Sequence, residues 1–554
     1  MHRVVALVMI AACSSAPPVP TVRFANAPPV TLVNDRHHVA KQPQNREFVR
    51  YLYAFDGSLM RPVTRALELE RHRRALGVNA FDEVPSSTWF TNRIGVRDVS
   101  PEEILNPPGA VGSPEKHKPW TIESSKVGGL SIGFIVKDAR GEKFLLKFDP
   151  RGFPEAETSA HIISGRLLWA FGYNVTDDYV AYIKRDDLKL ADDAVIKTLG
   201  GHKRPLTNDA LERALATVEK APDGTMRVMM SHYLDGKPLG GHPGEGVRDD
   251  DPNDRIPHER RRDLRGTYVA FSWLDHNDLH EGQMVDMFVK DPEDPKRQYV
   301  KHYFIDFGIS LGFAATKNYE PRFGHEWLLD PQRMVTNLLT FGAIEEAYET
   351  RKRPKLRGVA HYEVDTYDPG AWKAHTPAYR PVYAADRFDN FWASKILMKF
   401  KREHIRAAVE AARLSDPLAA EWLTEAIIAR QRKTAAYWFA RVNPLDQFAV
   451  DYDGPDRRLC FADLAISNAF TRAVGTHYTL TTYTRDNRRL GAVQVAAGFS
   501  GVTCGNVRLS SSDPESYTIV RVDTRRRGFT GTTYVHVAQQ PHTSAMRVIG
   551  IWRE

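Results

Sequence analysis

The sequence predicts an α+β fold with a C-terminal all-β domain, and three observations support that prediction. From Thr121 onward, β-rich runs bounded by turn residues alternate with amphipathic helical segments. Between Arg387 and Arg441 helical patterns dominate. Beyond Asn443 the chain consists of short β-rich runs separated by Gly, Asn, Asp and Ser, a spacing typical of a small sandwich or partial barrel.

The bulk composition is that of a folded protein with several domains. The 554 residues include 42% hydrophobic and 26% charged residues. At roughly 100–200 residues per domain, this length indicates about two to four domains. The formal net charge is +7, and no basic stripe carries interleaved aromatic side chains, so we expect no nucleic-acid partner.

The N-terminus has the pattern of an export signal. The stretch MHRVVALVMIAAC, which ends at Cys13, combines basic residues, a short apolar run and small residues, and predicts a signal peptide over 1–12. Ile-Ala-Ala-Cys resembles a bacterial lipobox, which implies a lipid anchor on Cys13. Because Ser14 follows, as in outer-membrane sorting signals, we expect an envelope lipoprotein facing the periplasm or the exterior. A plain apolar N-terminus is the alternative.

The other two cysteines, Cys460 and Cys504, form an even pair if Cys13 carries lipid. An exported protein can keep a disulfide, so we predict a Cys460–Cys504 bond, with two buried free thiols as the alternative. No other apolar run approaches the roughly 18 residues that a transmembrane helix needs.

The first elements are predicted after a Pro-rich tether over 13–47 and within an N-terminal extension over 48–120. A helix is expected over 61–77, where apolar residues recur at helical spacing. GFIVK and KFLLKFD flank the turn residues DARG and predict a hairpin. PEAETSAHIISGRLLWAFG then predicts a helix, with Pro154 in its first turn and Gly172 at its end.

The later elements are predicted to be mostly helical. IPHERRRDLRGTYVAFSWL is expected to form one helix starting at Pro257. MVDMFV and YVKHYFIDF predict a second hairpin, and Ser415-Asp416-Pro417 marks a helix start. We place domain boundaries so that two regions, 121–240 and 241–443, precede a β-sandwich-like domain over 444–554.

Several residues could serve phosphoryl transfer. That reaction needs a cation for the phosphates, carboxylates for magnesium and a carboxylate that orients the attacking hydroxyl. A turn with Gly128, Gly129 and Gly133 lies between two β-rich runs, where backbone amides could approach phosphates closely. Lys147 in FLLKFD is the candidate cation. A plain hairpin turn and an exposed strand lysine are the alternatives.

The strongest signal joins WLDHNDLHEGQMVDMFV to the later YFIDFGISLG. The first stretch, from His276 to Gln283, follows the outline of the kinase catalytic loop, and Asp306-Phe307-Gly308 matches D-F-G. The region from Thr121 to Arg441 therefore resembles the protein-kinase-like superfamily. NDLHEGQ is similar to the atypical bacterial HipA toxin kinases. Phrases such as KFDP and HERRRDLRG resemble a poorly described family of bacterial exported proteins.

The resemblance implies a bilobal core, with an N-lobe over 121–240 and a mostly helical C-lobe over 241–443. It also implies Mg-ATP as the cofactor. Lys147 would contact the nucleotide phosphates, and Glu157 or Glu155 on the next helix would hold Lys147.

The remaining site residues follow from the same resemblance. Asp278 would be the catalytic base, and Asp306 would bind magnesium together with Gln283. Gly128, Gly129 and Gly133 would lie over the nucleotide. The segment Ser231–Gly240 would lie near the adenine hinge.

The chain also departs from the kinase pattern. Gln283 stands where the family has Asn, one methylene longer, and Asn277 replaces the arginine that contacts a phosphorylated activation loop. His161 is a further candidate partner on the helix of Glu157. Enzymatic activity stays open, because the alternative to an exported kinase is a non-catalytic, pseudokinase-like envelope scaffold or binding lipoprotein. Nothing in the sequence indicates a protein or small-molecule substrate.

Two other chemistries compete for the same residues. His276 and His280 are four residues apart and would share one face of a helix as metal ligands. Gly282 and the Asp-Asn-Asp run favour a loop instead. A Ser-His-Asp hydrolase lacks support, because GFSG at 498–501 does not fit G-x-S-x-G.

Overall fold

The computed structural model describes most of the chain, in two compact units. The larger unit comprises Val30–Asn79 and Glu83–Arg441, and the smaller is formed mainly by Val442–Glu554. Several predicted features lie outside the described residues: the signal over 1–12, the lipidation site Cys13, most of the helix predicted over 61–77, and the glycines Gly128 and Gly129. The described residues are 19–46, 55–61, 73–106, 109, 111–127, 131–198, 202–315, 321–375, 379–453, 456–509 and 517–554.

The larger unit begins with a chain segment that the sequence predicts as an extended tether. Part of it is packed instead: the carboxylate of Asp35 accepts hydrogen bonds from the amide and hydroxyl of Thr88, both at 2.8 Å. Val39 lies in a small apolar cluster with Leu239 and Phe288. These contacts hold the segment against the larger unit.

A seven-stranded sheet forms the first half of the core, in the order β4-β7-β3-β2-β1-β5-β6. Strands β1 and β5 are parallel, and the other neighbours are antiparallel. The predicted hairpin around DARG is present as β2 and β3. The strands are Trp120–Ser125 (β1), Gly133–Lys137 (β2), Lys143–Phe148 (β3), Asp178–Ile183 (β4), Leu188–Lys197 (β5), Lys203–Pro205 (β6) and Met226–His232 (β7).

Three helices accompany this sheet: α1 (Pro101–Leu105), α2 (Ala156–Phe171) and α3 (Asn208–Leu215). Every residue of α2 except Trp169 is buried, which places this helix in the main apolar core. The helix begins two residues after Pro154, because Glu155 takes a left-handed conformation with φ of 65° and stands outside the first turn.

A second sheet of three strands has the order β10-β9-β8. Strands β9 (Met284–Lys290) and β10 (Gln298–Phe304) form the predicted second hairpin, and β8 (Lys237–Pro238) pairs with β9. The candidate loop of Asp278 lies just before β9, and Asp306 follows β10 by two residues. Pairing of these strands therefore brings the two motifs to the same end of the hairpin.

The prediction of one continuous helix from Pro257 is wrong. A short turn over His258–Arg260 is followed by two separate helices, α4 (Arg262–Arg265) and α5 (Thr267–Leu274). The chain breaks at Gly266, where a Cβ atom would lie 2.5 Å from the ring of Trp392. Close packing against that indole leaves no room for a side chain at this position.

Most of the remaining helices add side chains to the apolar core of the larger unit, whereas the helix Pro331–Thr340 buries none of its residues. The predicted start at Asp416-Pro417 is present: the Asp416 carboxylate accepts a hydrogen bond from the amide of Leu418 at 2.9 Å. No helix among the described residues has the length and apolar character to cross a bilayer. These helices are α6 (Pro331–Thr340), α7 (Arg380–Ala384), α8 (Arg387–Leu397), α9 (Arg402–Ala411) and α10 (Pro417–Phe439).

The smaller unit is rich in sheet, as predicted. It has a three-stranded sheet, β11-β12-β15, a five-stranded sheet, β14-β13-β16-β17-β18, and the short helix α11 (Leu464–Ser467). Cys460 on β12 and Cys504 on β15 are directly opposed and joined by a disulfide. The strands are Leu445–Asp453 (β11), Asp456–Asp463 (β12), His477–Thr484 (β13), Arg489–Ala496 (β14), Val502–Asn506 (β15), Thr518–Arg526 (β16), Phe529–Gln539 (β17) and Met546–Arg553 (β18).

Candidate functional site

Lys147 is the centre of the candidate site. It lies on β3 between β2 and β7, and only 2% of the residue is exposed. Its ammonium group forms an ion pair with the carboxylate of Asp306. Burial alone lowers the pKa of Lys147, but the charges of Asp306 and Glu157 outweigh it and raise the pKa. The lysine therefore stays charged inside the protein.

Asp306 reaches Lys147 from the segment after β10. Its φ of 61° lies in the left-handed region, which is unusual for a residue other than glycine. The chain therefore no longer follows the extended path of β10 at this residue. Burial raises the pKa of the carboxyl, but Lys147, Lys126 and His161 together hold it well below its usual range. Asp306 is thus ionised and available to a cation.

The two candidate glutamates at the start of α2 have different partners. Glu157 lies beside Lys147, and its Oε1 accepts a hydrogen bond of 2.6 Å from the hydroxyl of Ser131. Glu155 instead accepts hydrogen bonds from the Arg357 guanidinium at 2.8 Å and the amide of Ser415 at 2.9 Å. The structure therefore places Glu157, and not Glu155, at the site.

Asp278 lies in the loop between α5 and β9. Its Oδ2 accepts a hydrogen bond of 2.6 Å from the side-chain amide of Gln283, and its Oδ1 is 3.3 Å from Nε2 of His280. Burial raises the pKa of Asp278, but His280 outweighs that effect and the pKa is lowered, even with Asp306 nearby. Asp278 is therefore an ionised carboxylate close enough to Asp306 for the two charges to interact.

Buried contacts join this loop to the Asp306 segment. The backbone amide of Asn277 donates to the carbonyl of Ile309 at 3.2 Å, and Nδ1 of His276 is 3.2 Å from the same oxygen. The rings of His276 and Phe307 are 5.7 Å apart. Asn277 also accepts a hydrogen bond from the amide of Gly324 at 2.9 Å, so it fixes a later segment. The positions of Asp278 and Asp306 are thus coupled.

A cavity of about 280 Å³ opens beside Lys147 and Asp306. Its apolar walls are formed by Leu145, Val285, Met287 and Ile305. The far side is formed by the segment predicted as a hinge, through Ser231, His232, Tyr233, Leu234, Gly236 and Pro238. An apolar slot with a charged pair at one end suits a flat ring attached to an anionic group.

The acidic groups of this cleft fit a divalent cation only in part. Oε2 of Glu157 is buried without a hydrogen-bond partner, and Asp306 and Gln283 supply further oxygens. These groups do not form a preformed set of three ligands in the described chain. Mg²⁺ is commonly bound by one or two carboxylates completed by substrate phosphates, so the residues fit a cation that arrives with a nucleotide.

The alternative metal site at His276 and His280 is not assembled in this loop. His276 contacts a backbone carbonyl, and His280 contacts Asp278. The described residues hold one set of three potential metal ligands, His242, Asp286 and His302. Asp286 is also engaged by the Arg248 guanidinium at 3.1 Å, so this set is a buried network within the protein.

One site residue, Lys126, escapes the sequence motifs, and His161, which was a candidate partner for Lys147, pairs with another residue. Lys126, just after β1, is close enough to Lys147, Asp306, Glu157 and Asp278 for their charges to affect its pKa. His161 lines the cavity and is 3.0 Å from a carboxylate oxygen of Asp178. The available signal for Lys126 was a lysine two residues before Gly128. The pairing of His161 with Asp178 is visible only in the structure.

Comparisons with known proteins return kinases of known structure. The crystal structure of the Golgi casein kinase with Mn/ADP bound shares 11% identity and a TM-score of 0.30, covering 72% of this chain and 91% of that chain. Another crystal structure of the Golgi casein kinase also shares 11% identity and a TM-score of 0.30, covering 62% and 74%. The crystal structure of the Rio2 kinase-ADP/Mg²⁺-phosphoaspartate complex from Chaetomium thermophilum has 16% sequence identity and a TM-score of 0.21. The match covers 56% of this chain and 72% of that chain.

No protein-family model and no curated protein matches the chain. At TM-scores this low, the likeness to the solved kinases carries no argument about activity.

Proposed function

We propose that the larger unit is a bilobal, atypical protein-kinase-like core, of the kind found in bacterial HipA-like kinases, that binds Mg-ATP in the cavity beside Lys147. The observation that carries the proposal is the cavity itself. It combines an apolar slot, a buried lysine and an ionised aspartate, with the Ser231–Pro238 segment along its far side. These are the features that a nucleotide with an anionic tail requires.

The base and the phosphates occupy different ends of this cavity. An adenine ring fits between Leu145 on β3 and the side chains of Val285 and Met287 on β9. Lys147 is then placed to contact phosphate oxygens, because its ammonium group lies at the polar end beside Asp306. Magnesium, when bound, neutralises phosphate charge, and Asp306, Gln283 and Glu157 are the residues that would hold it.

Asp278 is the residue that would orient the acceptor. Because its pKa is lowered, the carboxylate is ionised near neutral pH and can accept a hydrogen bond from a hydroxyl. In transfer, the bond from the γ-phosphorus to the bridging oxygen of ADP breaks and a bond to the acceptor oxygen forms. The acceptor proton passes to Asp278.

A specific contact favours the alternative of a non-catalytic scaffold. The side-chain amide of Gln283 donates to Oδ2 of Asp278 at 2.6 Å, so the proposed base is already engaged. A core that keeps this contact could bind nucleotide without turnover and act as a nucleotide-dependent binding module.

Binding and turnover are tested separately. Isothermal titration of the full chain with Mg-ATP should show saturable binding that Asp306→Asn weakens at least about tenfold, since a charge-assisted contact is lost. Asp192→Asn, at an exposed position on β5, is the matched control. Absence of binding by the wild type would refute the proposal. Labelled-phosphate transfer that Asp278→Asn abolishes, with binding retained, identifies a kinase, and binding without transfer identifies the scaffold.

We also propose that the chain is an exported lipoprotein anchored through Cys13 in the bacterial outer membrane. The Cys460–Cys504 disulfide supports an oxidising compartment. Expression with labelled palmitate should label the wild type but not Cys13→Ser. Equal labelling of both would contradict the lipid anchor.

A further inference from the structure

Helix α6 presents its apolar side chains to solvent instead of to the core. None of its residues is buried. The three least exposed positions carry the polar residues Arg333, Thr336 and Thr340. These positions are three and four residues apart, so they share one face of the helix. The face of α6 that lies against the protein is therefore polar, which is the reverse of an ordinary surface helix.

Arg333 holds α6 in this orientation. Its guanidinium donates hydrogen bonds to the carboxylates of Glu346 at 2.6 Å and Glu349 at 3.1 Å, and its Nε is 3.2 Å from a carboxylate oxygen of Glu326. Only 11% of the arginine side chain is exposed. Rotating the helix to bury its apolar side chains would break these charge-assisted contacts. The outward apolar face is thus fixed by the contacts of the opposite face.

The outward face carries a concentration of large apolar side chains. Four of them occupy consecutive turns of one helix face, and the residue directly after the helix, Phe341, is 96% exposed. Single exposed apolar side chains are ordinary on protein surfaces, but a cluster of this size indicates an interaction surface. The exposed apolar residues between 328 and 344 are Leu328, Leu329, Met334, Val335, Leu338, Leu339, Phe341 and Ile344.

A basic run follows α6 along the chain. Five of the seven residues over 351–357 are lysine or arginine. The contact of Arg333 with Glu349 holds the chain beside α6 just before this run begins. Lys352 comes three residues after Glu349, so their α-carbons are at most about 11 Å apart. The side chains of Lys352 and Lys355 are exposed. Exposed cations therefore lie close to the outward apolar face.

The positive charge of the basic run is only partly neutralised within the chain. Arg351 is 3.2 Å from a carboxylate oxygen of Asp365, and Arg357 is 2.8 Å from one of Glu155. Both arginine side chains are still about half exposed. Three acidic residues lie between α6 and the run, and Arg333 binds two of them. An excess of positive charge thus faces solvent beside the apolar cluster.

We propose that α6 and the basic run 351–357 form a membrane-binding surface that recognises anionic phospholipids. Leu338, Leu339 and Phe341 enter the boundary of the acyl chains, and the basic run contacts the phosphates of the headgroups. With ten residues, α6 is too short to cross a bilayer, so it lies along the interface. A symmetric contact between two copies through this face would bring two basic runs together, which favours the lipid surface as the occupant.

This surface is separate from the nucleotide cleft and from the acyl anchor proposed at Cys13. The test therefore uses the full chain with Cys13→Ser as the parent, so that acylation does not contribute. Partition is measured by co-sedimentation with vesicles of phosphatidylcholine alone and of an equimolar mixture with phosphatidylglycerol. The parent should bind the mixed vesicles at least about tenfold more tightly, and high salt should reduce this difference by screening the basic run.

Two double variants of the parent separate the apolar and the electrostatic contributions. Leu338→Ser with Leu339→Ser should weaken partition at least about thirtyfold, because two large apolar side chains no longer leave water. Leu418→Ser is the control, since Leu418 is 70% exposed on α10.

Lys352→Gln with Lys355→Gln should weaken binding to mixed vesicles about tenfold and leave binding to phosphatidylcholine unchanged. Lys189→Gln with Lys220→Gln, at two exposed positions of the same unit, is the control for the loss of two charges. All variants keep the same N-terminus, so differences between them report the surface alone.

Several outcomes would refute the membrane surface. One is equal partition of the parent and of Leu338→Ser with Leu339→Ser, and another is equal binding of the parent to neutral and mixed vesicles. Self-association in sedimentation velocity that the leucine variant abolishes, without vesicle binding by the parent, would assign the face to a second copy. The leucine variant should melt at the temperature of the parent; a clearly lower melting temperature would show that the chain itself covers the face.

Discussion

Asp306→Asn should destabilise the larger unit, because it removes the charge that compensates a buried lysine. Removing one partner of a fully buried pair costs about 3–5 kcal/mol, whereas exposed pairs contribute about 0–1 kcal/mol. Lys147 is 2% exposed but the side chain of Asp306 is 37% exposed, so solvent screens one end of the pair. Glu157 also remains beside the ammonium group. We therefore expect a loss of about 2 kcal/mol in the free energy of unfolding.

The pH dependence of this loss follows from the two pKa shifts. Asp306 has a lowered pKa in the folded state, so its contribution is present above its unfolded value of 3.8 and disappears as the pH falls toward the folded value. Lys147 has a raised pKa, so its contribution is present below 10.5 and disappears only as the pH rises beyond that value. The difference between wild type and Asp306→Asn should be constant from about pH 5 to 9 and shrink below about pH 4.

Urea unfolding, followed by tryptophan fluorescence, measures the difference in the free energy of unfolding between the wild type and Asp306→Asn for the larger unit. Of the ten tryptophans, only Trp552 lies in the stretch Val442–Glu554, so the signal comes mostly from the larger unit. Asp192→Asn should unfold as the wild type does. Equal stability of Asp306→Asn and wild type at pH 7, or a difference that grows below pH 4, would refute the assigned pair.

The remaining predictions concern the cleft and the smaller unit. Gly308→Ala should weaken Mg-ATP binding about tenfold in titration calorimetry, because the new Cβ would lie 3.1 Å from Cγ of Glu157 and displace that side chain. Gly491→Ala is the control and should leave Mg-ATP affinity unchanged, because its new Cβ would have no neighbour closer than 3.9 Å. Equal losses of affinity in the two variants would contradict this prediction. Asp278→Asn should keep Mg-ATP affinity within about twofold but lower any phosphoryl transfer by about 100-fold or more, as expected for a lost base; unchanged transfer would exclude that role. Cys460→Ser with Cys504→Ser should destabilise the smaller unit by about 4 kcal/mol, from the closure entropy of a 44-residue separation, and an unchanged melting temperature would contradict this.

Local sequence signals predicted the elements whose geometry is set locally. The hairpins at β2–β3 and β9–β10 follow from β-rich runs around turn residues, and the start of α10 follows from Asp416-Pro417. The single helix predicted from Pro257 is interrupted at Gly266, where packing against Trp392, a residue distant in sequence, leaves no room for a side chain. Helical periodicity contains no information about that contact.

The candidate site shows the same division between local and distant causes. The resemblance to kinase motifs selected Lys147, Asp278 and Asp306; in the structure Asp306 forms an ion pair with Lys147 and lies close enough to Asp278 for its charge to affect the pKa of Asp278. The choice between Glu155 and Glu157 required the positions of Arg357 and Ser415, which hold Glu155 away from the cleft.

The placement of Lys126 near Lys147 depends on strand register. A shift of one residue between β1 and β2 would turn its side chain to the opposite face of the sheet. The sequence shows a lysine before a glycine turn, but only the paired strands show that Gly133 separates it from Lys147.

Both candidate carboxylates, Asp306 and Asp278, are held by neighbours within the chain. Asp306 is paired with Lys147, and Asp278 accepts the amide of Gln283. A nucleotide complex must loosen the first contact, because the lysine and the aspartate then serve phosphate and metal, respectively. Turnover must in addition free Asp278, whereas binding alone leaves the Gln283 contact intact. The kinase and the scaffold alternatives therefore place different demands on one hydrogen bond, from the side-chain amide of Gln283 to Asp278.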